Sequence, residues 1–147
     1  MRRTPGREGW DVLVRLSTLP LSARSWRAEG YHAAVNATVT AAMVRLSQPR
    51  PDDRVVNLMC GSGTILVERL LAVPIRRAIG IDISPEAIAV AQANVSAAGL
   101  SDRISLLAGN IGHDRWLAGG PYDCIYADPP WGDNSGKHSE NEDLHVT

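Results

Sequence analysis

The sequence predicts an α/β fold with a doubly wound, mainly parallel sheet, and three observations lead there. Aliphatic and β-branched runs alternate with helical segments from Val55 onward, the order that parallel sheets impose. The first run, Val55-Val56-Asn57-Leu58-Met59-Cys60, breaks into Gly61-Ser62-Gly63-Thr64 and resumes as Ile65-Leu66-Val67-Glu68-Arg69-Leu70-Leu71. That pattern reads as a buried strand, a tight turn and a buried helix. Finally, Gly61, Asp82, Asn110 and Asp128 all fall at the carboxyl ends of strands, where open α/β sheets hold ligands near the topological switch point.

At 147 residues the chain reads as one domain with a real core, and 44% hydrophobic with 21% charged residues is ordinary for a globular protein. Residues 1–9, with Pro5, Gly6, Gly9 and several charges, offer nothing to bury and read as a disordered leader. Residues 10–147 are then the domain. Met1-Arg2-Arg3 is basic, but no apolar run follows it, and no stretch approaches a membrane span, so a cytoplasmic location is expected. Cys60 and Cys124 sit in apolar strands and read as reduced thiols. Scattered histidines and the lack of a Cys-x-x-Cys pair argue against a metal site.

Charge is uneven. Through Arg54, nine arginines stand against five acids, whereas the remainder has six bases against eleven acids. The basic end is either a nucleic-acid face or an arginine-rich solvated surface; a ratio of fourteen arginines to one lysine equally suits codon bias.

Taken in order, residues 10–17 alternate well enough for a strand, which Leu19-Pro20-Leu21 punctuates. In Arg24-Ser25-Trp26-Arg27, two arginines flank an aromatic. They are read either as a ligand contact or as a Trp covering the sheet edge with the arginines in water. Val35, Val39, Ala42 and Leu46 recur at helical spacing, so residues 31–47 are expected to form an amphipathic helix laid on the sheet and ended by Pro49 and Pro51. Asp52-Asp53-Arg54 leads into the central strand. Pro74 closes the next helix, and Ala78-Ile79-Gly80-Ile81-Asp82-Ile83 is the second strand of the sheet. Ser84-Pro85-Glu86 opens a capped helix whose expected buried stripe is Ile88, Ala91, Val95 and Ala98, with Gly99 as its stop. Residues 104–108 and 122–127 are two further strands.

The ligand follows from what the turn lacks. A dinucleotide fingerprint would need glycine at Leu66, and a P-loop needs a lysine that the turn does not have. Asp82, about twenty residues on, suits ribose hydroxyls. A Gly-x-Gly turn with that acid fits a nucleoside without a diphosphate, and S-adenosyl-L-methionine is the common one.

Asp128-Pro129-Pro130-Trp131 ends the last strand. The prolines fix φ and cannot donate, which leaves the Asp128 carboxylate and the Pro129 carbonyl as acceptors. Two such acceptors can grip the N–H bonds of an exocyclic base amine and draw its delocalised lone pair back to nitrogen. Trp131 offers a flat face to the base. Asp-Pro-Pro also makes plain turns, and Trp131 could be a core lid; the position at a strand tip after a glycine turn favours the chemistry.

These motifs, together with Asn36-Ala37-Thr38 and with Gly132, Gly136, His138, Asn141 and Leu144 beyond Trp131, resemble the THUMP-associated RNA guanine-N2 methyltransferases, a Rossmann-like class. The resemblance covers nearly everything from Trp10 onward, and the Asp-Pro-Pro-Trp end is shared with adenine-N6 enzymes. It implies an S-adenosyl-L-methionine-dependent enzyme acting on tRNA or rRNA. Asn57 and Cys60, Gly61, Ser62, Gly63 and Thr64 would line the methionine moiety, Asp82 the ribose, and Asn110 the adenine amine, with Ile83 and Ile111 beside them. Asp128, Pro129 and Trp131 would hold the target base. Asn57 and Asn110 stand where the family has acids, and His145 where it has Tyr. The family sheet has seven strands, so the domain is expected to be incomplete at its C-terminus. The alternatives are adenine-N6 methylation of DNA or RNA, and a non-catalytic cofactor-binding remnant.

Overall fold

The computed structural model describes Arg2–Arg3 and residues 9–129, apart from 13, 15, 29, 32–33 and 113–117. Its centre is a four-stranded parallel sheet made by β3 (Val55–Leu58), β4 (Ala78–Asp82), β5 (Ile104–Ala108) and β6 (Cys124–Ala127), in the order β5-β4-β3-β6. The register aligns Leu58 with Ile81 on one side and Ala127 on the other, so all four strands end at one rim. Between β3 and β6 the strand order reverses, which is the switch point where such sheets open a crevice. A separate antiparallel pair, β1 (Arg2–Arg3) with β2 (Trp10–Asp11), lies outside this sheet. Among the described residues, the strand expected over residues 10–17 is found only at Trp10–Asp11, and Val12, Val14 and Leu16 are exposed.

Three helices follow: α1 (Ala37–Leu46), α2 (Thr64–Ala72) and α3 (Pro85–Ala97). Asn36 caps α1 through its side-chain oxygen, which accepts from the Thr38 and Val39 N–H groups, so α1 begins six residues later than expected. The expected stripe on α1 is corrected as well. Ala37, Thr40 and Val44 are fully buried, while Val39 and Leu46 are exposed, Leu46 at 83%. The helix packs mainly on α2, where small side chains permit close approach, and hydrophobicity alone picks the neighbouring face. Ser84 caps α3 with Pro85 at its first position, as expected. The buried face of α3 is Ala87, Val90, Ala91, Asn94 and Val95, with Ile88 and Ala98 at its margin.

One face of the sheet supports α2. Gly80 in β4 lets α2 seat on it: a Cβ there would lie 2.6 Å from Leu66 Cδ1, 2.8 Å from Leu106 Cδ2 and 3.1 Å from Cys60 Sγ. On the other face, Ile125 and Leu107 are half exposed among the described residues.

Candidate functional site

The β3–α2 turn is built from backbone. Gly61 and Gly63 both take positive φ, 51° and 74°, and so does Met59 at 54°. A side chain on Gly63 would be strained by that φ and would crowd Ala91, its Cβ only 3.2 Å from the alanine's. Gly63 is also the N-cap of α2 and provides no side-chain cap, so the first N–H groups of this helix are left for a ligand. At Gly61 the space is open except for Tyr31, whose Cε1 would stand 3.8 Å from an added Cβ. A ligand can therefore reach main chain at Gly61.

The side chains assigned to this turn face inward. Ser62 and Thr64 are buried, their hydroxyls 3.1 Å apart, and Thr64 Oγ1 also accepts from Arg27 Nη2 at 3.0 Å. Cys60 is buried under Gly80 and α2, and burial, with a smaller effect of the Asp82 charge, pushes its thiol up to about 12. Because the thiolate is the reactive form, only about one thiol in ten thousand would be ionised at pH 8. Iodoacetamide at that pH is expected to label Cys60 in urea but not in the folded protein within an hour, as read by peptide mass spectrometry. Rapid labelling of the folded protein would mean that the sulfur faces the crevice.

Asp82 joins two turns. Its Oδ2 accepts the Gly61 N–H at 2.7 Å and its Oδ1 accepts the Ser84 N–H at 2.9 Å, which ties the glycine turn to the start of α3. Each carboxylate oxygen keeps a further acceptor site for a hydroxyl. Ile83, 51% exposed, presents an apolar face beside it. Asn110, at the end of β5, is exposed and folds its Oδ1 back onto the Gly112 N–H at 2.8 Å, with Ile111 half-buried next to it. Asn57 is fully buried, and among the described residues neither its Nδ2 nor its Oδ1 has a partner, an expensive arrangement that suits a site meant to meet a polar ligand or water.

The register locates the second motif. Asp82 and Asp128 each come one residue after a partner of Leu58, Ile81 in β4 and Ala127 in β6, and these two strands flank β3, so their tips are two strand spacings apart, about 10 Å. The two residues therefore lie at the same end of the sheet. Asp128 is half-buried and Pro129 exposed; Trp131 lies outside the described residues, as do positions 132–147.

Arg24-Ser25-Trp26-Arg27 matches neither expectation whole. Trp26 is a core residue, 5% exposed, but the arginines do not face water. Arg24 Nε donates to Glu68 Oε1 at 2.6 Å and its guanidinium also bonds the Leu21 carbonyl, while Arg27 bonds Thr64 and the Val35 carbonyl. Glu68 and Thr64 are on α2, so the segment is bolted to the helix that carries the glycine turn. Sequence reasoning missed this role, and it missed Tyr31 and Asn94, because their neighbours lie thirty or more residues away in the chain.

A glycine turn at a helix start, an acid on the next strand tip and Asp-Pro on the fourth are joined by a direct match. The UPF0020 family, described as an RMKL-like methyltransferase domain, matches residues 24–147. The chain belongs to this family. Its fold is the Rossmann-like one: TrmN from Thermus thermophilus superposes with a TM-score of 0.68 at 30% identity, covering 82% of this chain and 36% of that one. The U6 snRNA (guanine-N(2))-methyltransferase THUMPD2 of Mus musculus is 34% identical over 121 residues, 82% of this chain and 22% of that protein. The release factor glutamine methyltransferase of Gloeobacter violaceus is 38% identical over 81 residues, 53% of this chain and 27% of that protein. This member of the family thus spans about a quarter of the length of these two relatives.

Proposed function

We propose that this chain binds S-adenosyl-L-methionine across the tips of β3 and β4 and directs its methyl group to an exocyclic base amine of RNA, guanine N2 in tRNA or rRNA first. The observation that carries the reading is the register, which ends β4 at Asp82 and β6 one residue before Asp128 on the two sides of β3; an acid for ribose and an acid for the amine would then share one crevice. The residues present suit the cofactor: bare backbone at Gly61, uncapped N–H groups at the start of α2, and an orphaned amide at Asn57. When bound, the cofactor supplies a methyl group on a sulfonium, already activated for displacement.

The chain's own residues prepare the acceptor. The Asp128 carboxylate and the Pro129 carbonyl each accept an N–H of the amine, which restores the lone pair to nitrogen and fixes its direction. The proton lost after transfer is the one held at Asp128. Trp131, assigned from sequence, gives the base a stacking face worth on the order of 1–3 kcal/mol. A base within a helix would first be swung out.

RNA is favoured because THUMPD2, a U6 snRNA (guanine-N(2))-methyltransferase, matches over 82% of this chain. The similarity to glutamine methyltransferases favours a second reading, since a side-chain amide is also a planar, conjugated NH2 and needs the same two acceptors. The test is to incubate the protein with labelled S-adenosyl-L-methionine and either total RNA or a protein extract, then digest and identify the product. N2-methylguanosine is expected. N6-methyladenosine would move the target to adenine, label in protein alone would favour the amide, and cofactor binding without turnover would make the chain a non-catalytic binder.

A further inference from the structure

Four hydrogen bonds among five residues, closed through the Arg27–Ala28 peptide link, form a ring behind the glycine turn. Arg27 Nη2 donates to Thr64 Oγ1 at 3.0 Å, and the Thr64 hydroxyl meets that of Ser62 at 3.1 Å. The Ser62 carbonyl accepts Asn94 Nδ2 at 3.0 Å, and Asn94 Oδ1 accepts the Ala28 N–H at 3.0 Å, which returns the ring to the residue after Arg27. Asn94 and the two hydroxyl-bearing residues are all buried. The ring holds the strap from Arg24 to Ala28 against the turn, with Trp26 in the core as its anchor. Three residues beyond Ala28, the strap reaches the open side of the turn and delivers Tyr31 there.

We propose that Tyr31 is a cofactor-contacting residue whose ring forms the wall of the S-adenosyl-L-methionine crevice next to Gly61. The inference rests on the reading that this cofactor lies between Gly61 and Asp82. The ring edge is within van der Waals distance of the place where a Gly61 side chain would be, so ring and bare backbone are adjoining walls of one slot. Burial, then the charges of Asp82, Glu86 and Cys60, push the Tyr31 hydroxyl up from its ordinary pKa, as expected for a ring at the mouth of this crevice. The phenol therefore stays neutral at physiological pH. A flat, neutral aromatic wall suits an adenosyl ligand with a cationic sulfur, because the ring face attracts the charge without a hydrogen bond.

Calorimetry with S-adenosyl-L-methionine and S-adenosylhomocysteine tests this on Tyr31→Ala, Tyr31→Phe and Asp82→Asn. Tyr31→Ala is expected to weaken both ligands about tenfold, the methionine form more, with the thermal midpoint held close to that of the unaltered protein. Tyr31→Phe keeps the ring and is expected to bind within about threefold. Should the alanine variant fail to fold, Tyr31→Leu, which fills the space without a flat face, reads the same loss. Undiminished binding by a folded Tyr31→Ala alongside lost binding by Asp82→Asn overturns the role of Tyr31 alone. Undiminished binding by both removes the placement of the cofactor as well.

Discussion

Asp128→Ala is expected to lower methyl transfer about a hundred- to a thousandfold while leaving cofactor affinity within a few fold. The two effects separate because Asp82 ends β4 and Asp128 follows β6, with β3 between those strands. A base amine is a poor nucleophile while its lone pair is shared with the ring, and the carboxylate is the stronger of the two acceptors that recover it. Without Asp128 the amine keeps one anchor, the Pro129 carbonyl, and samples directions from which displacement fails. Asp128→Asn retains an acceptor oxygen but no charge, and its rate is expected to fall between the two. Single-turnover rates with RNA, paired with calorimetry on S-adenosylhomocysteine, measure both quantities. If rate and cofactor binding collapse together in Asp128→Ala, the carboxylate is holding the strand tip instead of the substrate.

The largest stability loss is expected from Asp53→Ala, on the order of 3–5 kcal/mol. Arg69 lies within α2 with no exposed surface, and its Nη2 donates to Asp53 Oδ2 at 2.8 Å and to the Arg50 carbonyl at 2.8 Å. Its Nη1 donates to the Val73 carbonyl at 2.6 Å, while Nε has no partner among the described residues. Removing Asp53 strips this buried cation of its counter-ion and also frees the Arg50 N–H, which donates to the same carboxylate oxygen at 2.9 Å. Arg69→Met should cost less, since the stranded partner is then a carboxylate close to solvent, its side chain 12% exposed. Urea denaturation gives the difference, and the midpoint of thermal unfolding should fall by roughly 10 °C. A loss below about 1 kcal/mol would show that the three carbonyl and carboxylate contacts are interchangeable. The consequence reaches the site because α2 carries Gly63 and Thr64 at its start.

Much of the frame was legible in the residues. β5 occupies the positions that its apolar run marks, β4 ends at Asp82, and α3 starts at the Ser84-Pro85 cap. Turn chemistry was equally readable, since Gly61 and Gly63 do take the positive φ that only glycine holds cheaply. The misses share a cause. On α1 the exposed Val39 and Leu46 are more apolar than the buried Thr40, so the helix face could not be chosen from periodicity. Residues 10–17 alternate like a strand, yet alternation is worth nothing without a paired edge. Arg24 and Arg27 look like surface charge until α2 supplies Glu68 and Thr64.

Alternation of strand and helix, the glycines of the turn and the acids at strand ends are written locally, so the order of residues alone determined the α/β class, the glycine turn and the ending of β4 at Asp82. Only the folded chain decided that Ser62, Thr64 and Cys60 turn inward, that Arg27 and Asn94 clamp the glycine turn, and that Tyr31 reaches Gly61. Those outcomes depend on which distant groups can satisfy a buried charge or amide, and that pairing exists only once burial makes an unmet hydrogen bond costly.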